Sequence, residues 1–361
     1  MKPEPPFTHG TALRTAVLYC NLGTPDEATP SAVRRYLAQF LSDPRVVEIP
    51  RLVWLPLLYG VILPLRSAKS AAKYAMIWNA DGSPLRHWTQ KQALLLQGWL
   101  GERGHSLLVR SAMRYGNPSI ASQLDVLKAE GATRILVLMA YPQYAASTTA
   151  SVIDAVAAWA RETRDVPELR FVNHYHDDRG YVQALARRVS AFWDTNGKPD
   201  HLVMSFHGVP ERTLHRGDPY HCECQKTGRL LAEWLGLAPD QYTLTFQSRF
   251  GKAKWLEPYT EPTLRSLGSQ GAGRVDVVCP GFPADCLETL EEIAQEGRDA
   301  FLAAGGKQFR YIPCLNDDPA WIAALGAIAE THLAGWPTKQ PADAAALAQS
   351  RHAALAKGAQ G

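Results

Sequence analysis

Short apolar runs alternate along the chain with longer stretches in which apolar residues return every three or four positions. Eight runs read as strands: Thr15–Cys20, Leu107–Ala112, Arg134–Met139, Leu169–Asn173, His201–Phe206, Tyr242–Gln247, Val275–Cys279 and Phe309–Pro313. They are rich in Val, Leu and Ile and lack strict polar alternation, as expected of strands covered on both faces of a parallel sheet. Helical patterns follow most of them, at Ser31–Leu41, Ser119–Glu130, Ala150–Arg161, Tyr181–Trp193, Asp285–Ala304 and Pro319–Ala334. Alternating β and α predicts βαβ units and an α/β fold. Once an insertion of roughly 50 residues at Ser42–Trp88 is set aside, the first four strands keep a rhythm comparable to the last four. The expected architecture is two similar halves, each an open parallel sheet with helices on both faces. Residues 12–178 form the first half, 179–335 the second, and 336–361 a flexible Ala- and Gln-rich tail. Ligands of open α/β sheets sit beyond the carboxyl ends of the strands, so the site belongs in the cleft between the halves.

The insertion, at about 42–88, holds the most apolar stretch, LVWLPLLYGVILPL at Leu52–Leu65. It falls short of the ~20 residues of a spanning helix, and Pro56 interrupts it. Arg51 and Arg66 flank it, and Lys69 and Lys73 follow. Two readings stay open: a buried helix pair, or an amphipathic lip touching a membrane surface or an apolar substrate. The first residues, MKPEPPFTHGTALRT, show no secretory pattern. The expected location is the cytoplasm, with peripheral contact to the inner membrane as the further expectation.

Composition narrows the function classes. The 361 residues are 46% hydrophobic and 20% charged, ordinary for a folded protein. A formal charge of +3, from 38 Lys+Arg and 35 Asp+Glu, argues against an electrostatic nucleic-acid binder. Six cysteines are too few for a disulfide scaffold. Ten Trp, thirteen Tyr and ten Phe suit a core and also a pocket for a large flat ligand.

The candidate chemistry gathers after the strands. His207 ends HLVMSFH and precedes Gly208, at the carboxyl end of a strand. The bland reading is a loop histidine satisfied by a hydrogen bond. In VVCPGFPADCLETLEEI, Asp285 reads as a helix N-cap, and Glu288 and Glu292 fall at i and i+4 on one helix face. Such a pair can bind a metal or relay protons; the bland reading is a solvated acidic helix start, with Glu291 on its solvated face. Cys222-Glu223-Cys224 is a weak metal signal and reads better as a surface segment opening a Lys226–Leu235 helix. No Walker A loop and no G-x-G-x-x-G follows the first strand, which disfavours a nucleotide cofactor. Tyr19, Tyr74, Trp78, Tyr115, Tyr141, Tyr144, Phe246 and Trp255 lie in or beside candidate loops, and Arg114 is placed to pair with a substrate carboxylate.

Eight stretches then match one family in order: VLYCNLGTPD at 17–26, GSP at 82–84, MRYGNPSI at 113–120, YPQYAASTT at 141–149, SFHGVPERTLHRGDPYHCECQKT at 205–227, TFQSRFGKAKWLEPYT at 245–260, PGFPADCLETLEEI at 280–293 and PCLNDDPAW at 313–321. The chain resembles the bacterial ferrochelatases (protohaem ferro-lyases) over nearly all of 12–330. The resemblance implies an α/β fold of two similar doubly wound, flavodoxin/chelatase-like parallel-sheet halves with the porphyrin in the cleft between them, and insertion of Fe(II) into protoporphyrin IX, with release of two protons, to give protohaem. It implies His207 as the active-site histidine and metal ligand, Glu288 as the essential glutamate and metal ligand, and Glu292 as the second acidic residue. Porphyrin-contacting positions would be Leu22, Tyr74, Arg114, Tyr115, Ser147 and Trp255. Some members carry a [2Fe–2S] cluster with a cysteine in the YPQY segment and others near the C-terminus. Here Ala145 and Ala146 occupy that segment and the tail has no cysteine, so no such cluster is expected. Cys286 stands where some members have a histidine. The alternatives are a chelatase of this architecture acting on coproporphyrin III or inserting cobalt, and a haem carrier without catalysis.

Overall fold

The computed structural model describes residues 1, 4, 7–251, 253–339 and 343–359. All eight expected strands form. In the first half, β1 (Arg14–Thr24) is followed by α1 (Pro30–Ser42), α2 (Arg51–Leu57), α3 (Leu63–Ile77) and α4 (Pro84–Glu102), then β2 (Leu108–Gly116), α5 (Ile120–Ala129), β3 (Ala132–Met139), α6 (Ser151–Glu162) and β4 (Glu168–Val172). In the second, α7 (Arg179–Asn196) leads into β5 (His201–His207), α8 (Glu211–His215), α9 (Tyr220–Leu235), β6 (Tyr242–Gln247), α10 (Thr260–Ser269), β7 (Arg274–Val278), α11 (Arg298–Ala303), β8 (Gln308–Tyr311), α12 (Pro319–Leu333) and α13 (Ala344–Ala356). Both sheets are parallel and share one topology, β2-β1-β3-β4 and β6-β5-β7-β8. The fold is therefore α/β with two similar halves, and their central strands read as continuous apolar runs because both faces are covered.

The halves share a core. One buried cluster contains Tyr19 and Leu138 of the first sheet, Met204 and Phe206 of the second, and Trp321 of α12. Helix α12 packs on α4, α7 and β3, so the last helix of the second half closes the first. That approach needs Gly326: a Cβ there would lie 2.2 Å from the Trp99 ring. No residue of α13 is buried.

The insertion departs from expectation. Residues Arg51–Ile77 form one helical stretch 27 residues long, not a helix pair broken at Pro56. A π turn at Leu58–Ile62 sits between Pro56 and Pro64, with the Leu63 amide donating to the Leu58 carbonyl, and the helix runs on through both prolines. By length and composition this helix is long and apolar enough to cross a membrane. Its inner face holds Leu58, Leu63, Ala71 and Tyr74, which are buried against α1 and its surroundings, whereas Leu52 is 93% and Leu65 67% exposed. It is a lip with one apolar face outward rather than a buried pair.

Asp43, just after α1, ties the lip's base to the sheet. Its carboxylate accepts from Arg114 Nη2 at 2.6 Å, Tyr115 Oη at 2.8 Å and Ser151 Oγ at 2.6 Å. Burial works to raise its pKa, but Ser151, the Arg45 amide, Tyr115 and the Arg114 charge outweigh that and hold it below the ordinary 3.8. Asp43→Ala strands a largely buried guanidinium and is expected to cost about 3–5 kcal/mol, read from denaturant midpoints at neutral pH. Because the folded pKa is depressed, this contribution is present above the unfolded pKa and is lost as pH falls through the folded one. Wild-type and variant curves should converge in acid; a gap that does not close would contradict this reading.

Candidate active site

The carboxyl ends of β1, β3, β5 and β6 point into the space between the halves, as the doubly wound topology requires. Two connected chambers lie there. A narrow one, about 100 Å³, is lined by Leu22, Tyr36, Tyr74, Tyr141, His207 and Glu288, among others. A wide one, about 850 Å³, is lined by Leu22, Trp54, Ser147, His207, Phe250 and Trp255, among others. Leu22, Thr148 and His207 belong to both.

His207 is the last residue of β5 and pairs in register with Gln247 of β6. Its Nδ1 lies 2.6 Å from the Gly208 carbonyl oxygen. A carbonyl only accepts, so Nδ1 carries the hydrogen and donates, which leaves Nε2 with a free lone pair. Gly208 is needed for the turn: a Cβ there would meet the Gln247 carbonyl oxygen at 2.7 Å and the Trp255 ring at 3.2 Å. Trp255 is held beside it by backbone pairing across the loop, Leu256 N donating to the Val209 carbonyl at 3.0 Å.

Glu288 opens a π-helical stretch, Glu288–Gly297, that continues into α11. The wider i→i+5 turn keeps Glu288 and Glu292 on neighbouring positions of one face. Glu292 accepts from the Ser248 amide at 2.6 Å and the Ser248 hydroxyl at 2.5 Å, with Gln247 Nε2 at 3.4 Å. Gln247 Nε2 also donates to the Glu288 carbonyl at 2.8 Å. Ser248 adopts a left-handed backbone, φ 67°, to place both donors, a strained conformation for a non-glycine residue. Nothing in the periodicity signals Ser248; only its place next to the end of β6 does.

Burial raises the Glu292 pKa above the ordinary 4.5; Ser248 and the nearby His207 lower it, and Glu288 adds a further rise. A raised carboxyl makes the folded state bind more protons than the unfolded one. Stability from this group therefore falls as pH rises from 4.5 through the folded pKa. Glu292→Gln should remove that part of the slope in a pH series of urea midpoints; identical slopes in both proteins would contradict the assignment.

Several expectations are corrected. Arg114 and Tyr115 do not line either chamber; they stand one layer behind, committed to Asp43 and Ser151, and Tyr115 is 1% exposed. Arg114 is therefore not a free cation awaiting a carboxylate. The wide chamber instead has Arg45, Arg66, Arg212 and Arg216 in its wall. Glu291 is not on a solvated face: it is 3% exposed and bonds Lys73 of α3. The π stretch turns it inward toward the lip. Asp285 caps nothing; it is buried and accepts from Tyr311, Thr289 and Asn316. Cys222 and Cys224 lie within α9, which starts at Tyr220, and Cys224 is buried. Of the aromatic candidates, Tyr74, Tyr141, Tyr144 and Trp255 line a chamber, while Tyr19 and Phe246 are core.

The ferrochelatase family model matches residues 14–333. The chain belongs to the ferrochelatase family. It is 69% identical to the ferrochelatase of Methylibium petroleiphilum over 99% of both chains. It is 66% identical to that of a Polaromonas species and 60% identical to that of Dechloromonas aromatica, each over 99% of this chain and 98% of the relative. Among solved structures, SirB from Bacillus subtilis with Fe3+ superposes with a TM-score of 0.51 at 15% identity, over 89% of this chain and 96% of SirB, a likeness of fold. As a ferrochelatase the protein is a lyase of the metal-chelatase type that inserts ferrous iron into protoporphyrin in haem biosynthesis, with porphyrin and ferrous iron as substrates.

Proposed function

We propose that protoporphyrin IX lies in the wide chamber with its centre at His207, and that the narrow chamber behind serves the protons. The supporting observation is that, among the described residues, His207 is the one titratable group that lines both chambers. A free-base porphyrin carries two pyrrole protons that must leave before a metal seats. His207 Nε2, bare because Nδ1 is committed to the Gly208 carbonyl, accepts one of them. Glu288, in the narrow chamber, receives protons or holds Fe(II) at the centre. Glu292, held by Ser248 and with its carboxyl pKa raised by burial, takes the proton onward.

The walls suit a flat apolar macrocycle. Leu22, Trp54, Phe250 and Trp255 offer apolar surface, Ser147 sits on the opposite loop, and Tyr74 stands in the narrow chamber. About 850 Å³ lies within the ~300–1,000 Å³ of small-molecule sites. Arg66 places its guanidinium 5.8 Å from the Phe250 ring and is the cation we assign to a propionate. The substrate carries two carboxylates in this reading, not the four of coproporphyrin III, because the exposed lip is apolar. The lip rests on a membrane surface from the cytoplasmic side: Leu52, Val53, Leu57 and Leu65 face outward, and Arg51, Arg66 and Lys69 lie beside them. No [2Fe–2S] cluster is part of the enzyme, since Ala145 and Ala146 replace the cysteine-bearing segment of cluster-containing members.

The test is an anaerobic assay with protoporphyrin IX or coproporphyrin III and Fe(II) or Zn(II), following loss of free-porphyrin fluorescence. Protoporphyrin should turn over with the higher kcat/KM. Preference for coproporphyrin would overturn the two-carboxylate reading.

A further inference from the structure

Outside both chambers, the loop after β4 and the first turn of α9 bring His174, His176 and Glu223 together. One ligand atom from each lies within 4.8 Å of the others. His174 Nδ1 is 2.6 Å from Glu223 Oε1, and His176 Nδ1 is 3.3 Å from Glu223 Oε2. His176 is only 9% exposed, yet its Nδ1 makes no hydrogen bond. A buried ring nitrogen that faces a carboxylate oxygen without hydrogen-bonding to it is costly, and such exceptions need a reason. The reason on offer is a ligand between the two rings and the carboxylate.

We propose that His174, His176 and Glu223 form a second metal site, separate from the reaction centre, for a divalent first-row ion such as Zn(II). Two imidazoles and one carboxylate suit that class of ion, and three protein ligands leave a fourth position for water. Ligand distances of ~2.0–2.2 Å require the 2.6 Å contact to open slightly. His174 can do so, since its side chain is 53% exposed. The other groups facing the site fit the same ion. Asp177 Oδ1 lies 3.9 Å from His176 Nε2, so its charge favours a hydrogen on that nitrogen and leaves Nδ1 for the metal. Lys226 is spent on Asp177 at 2.5 Å. The Tyr144 amide donates to Glu223 Oε2 at 2.7 Å and fixes the carboxylate.

That last bond gives the site a structural role. Tyr144 belongs to the loop that lines the wide chamber, and Ala146 of the same loop is held by Asp218 at 2.8 Å. An ion bound here ties the first half to α9 of the second, next to the porphyrin wall.

Zn(II) alone is titrated into the full chain by calorimetry, without porphyrin, in a His207→Ala/Glu288→Gln background that removes the reaction centre's own metal ligands. One equivalent should still bind. Adding His174→Ala, an exposed change that leaves the fold intact, should weaken binding at least about tenfold, and His176→Ala should do the same. No binding in the background protein, or affinity unchanged by His174→Ala, would overturn the site.

Discussion

Replacing His207 by alanine is expected to lower iron insertion by about 10²–10⁴-fold while protoporphyrin still binds within a few-fold of wild type. The two effects separate because His207 is one side chain in a chamber of about 850 Å³ whose apolar walls come from Leu22, Trp54, Phe250 and Trp255. Removing an imidazole leaves most of that surface in place, so little binding energy is lost. What disappears is the lone pair of Nε2, which the Nδ1 bond to the Gly208 carbonyl keeps free. Pyrrole protons then have no acceptor at the mouth of the narrow chamber. Fluorescence quenching would measure binding and anaerobic loss of free-base absorbance the chemistry. A parallel fall in both would mean that His207 shapes the pocket instead.

The second large effect is expected at Glu288. Glu288→Gln keeps shape and hydrogen bonding but removes the charge, and should lower kcat about 10²-fold or more with KM for porphyrin little changed. The residue lines the narrow chamber with His207, and its backbone carbonyl is held by Gln247, so the side chain starts from a fixed position. Tyr36 and Tyr74, also in that wall, are pushed up chiefly by burial and also by the Glu288 carboxylate, which marks how dry the chamber is. A charge there is worth more than in water. Unchanged kcat in Glu288→Gln would remove it from the proton or metal path.

The strands were legible because each is a short apolar run covered on both faces, and the similar rhythm of the halves reflects one topology used twice. His207 was legible from the rule that sites lie beyond strand carboxyl ends. Other features depended on information that periodicity does not carry. A π stretch has the composition of an α-helix, so the inward turn of Glu291 toward Lys73 was not visible. The continuous lip helix was hidden because proline is read as a breaker, whereas here the helix runs through Pro56 and Pro64 with a π turn between them. Arg114 was misplaced because its partner, Asp43, lies 71 residues away in sequence. Ser248 was missed because its role rests on a backbone angle, not on a side-chain pattern. Glu223 and His176 could be paired only once the loop after β4 met α9.

The central claim is that His207 Nε2 takes a pyrrole proton at the junction of the two chambers. It is tested most directly by a single-turnover experiment on His207→Ala with protoporphyrin already bound. Fe(II) is added anaerobically, with and without free imidazole, and the absorbance of the free-base porphyrin is followed. The account predicts that the free-base bands persist without imidazole and decay when imidazole supplies the missing base. Metallation at the wild-type rate in the absence of imidazole would contradict it.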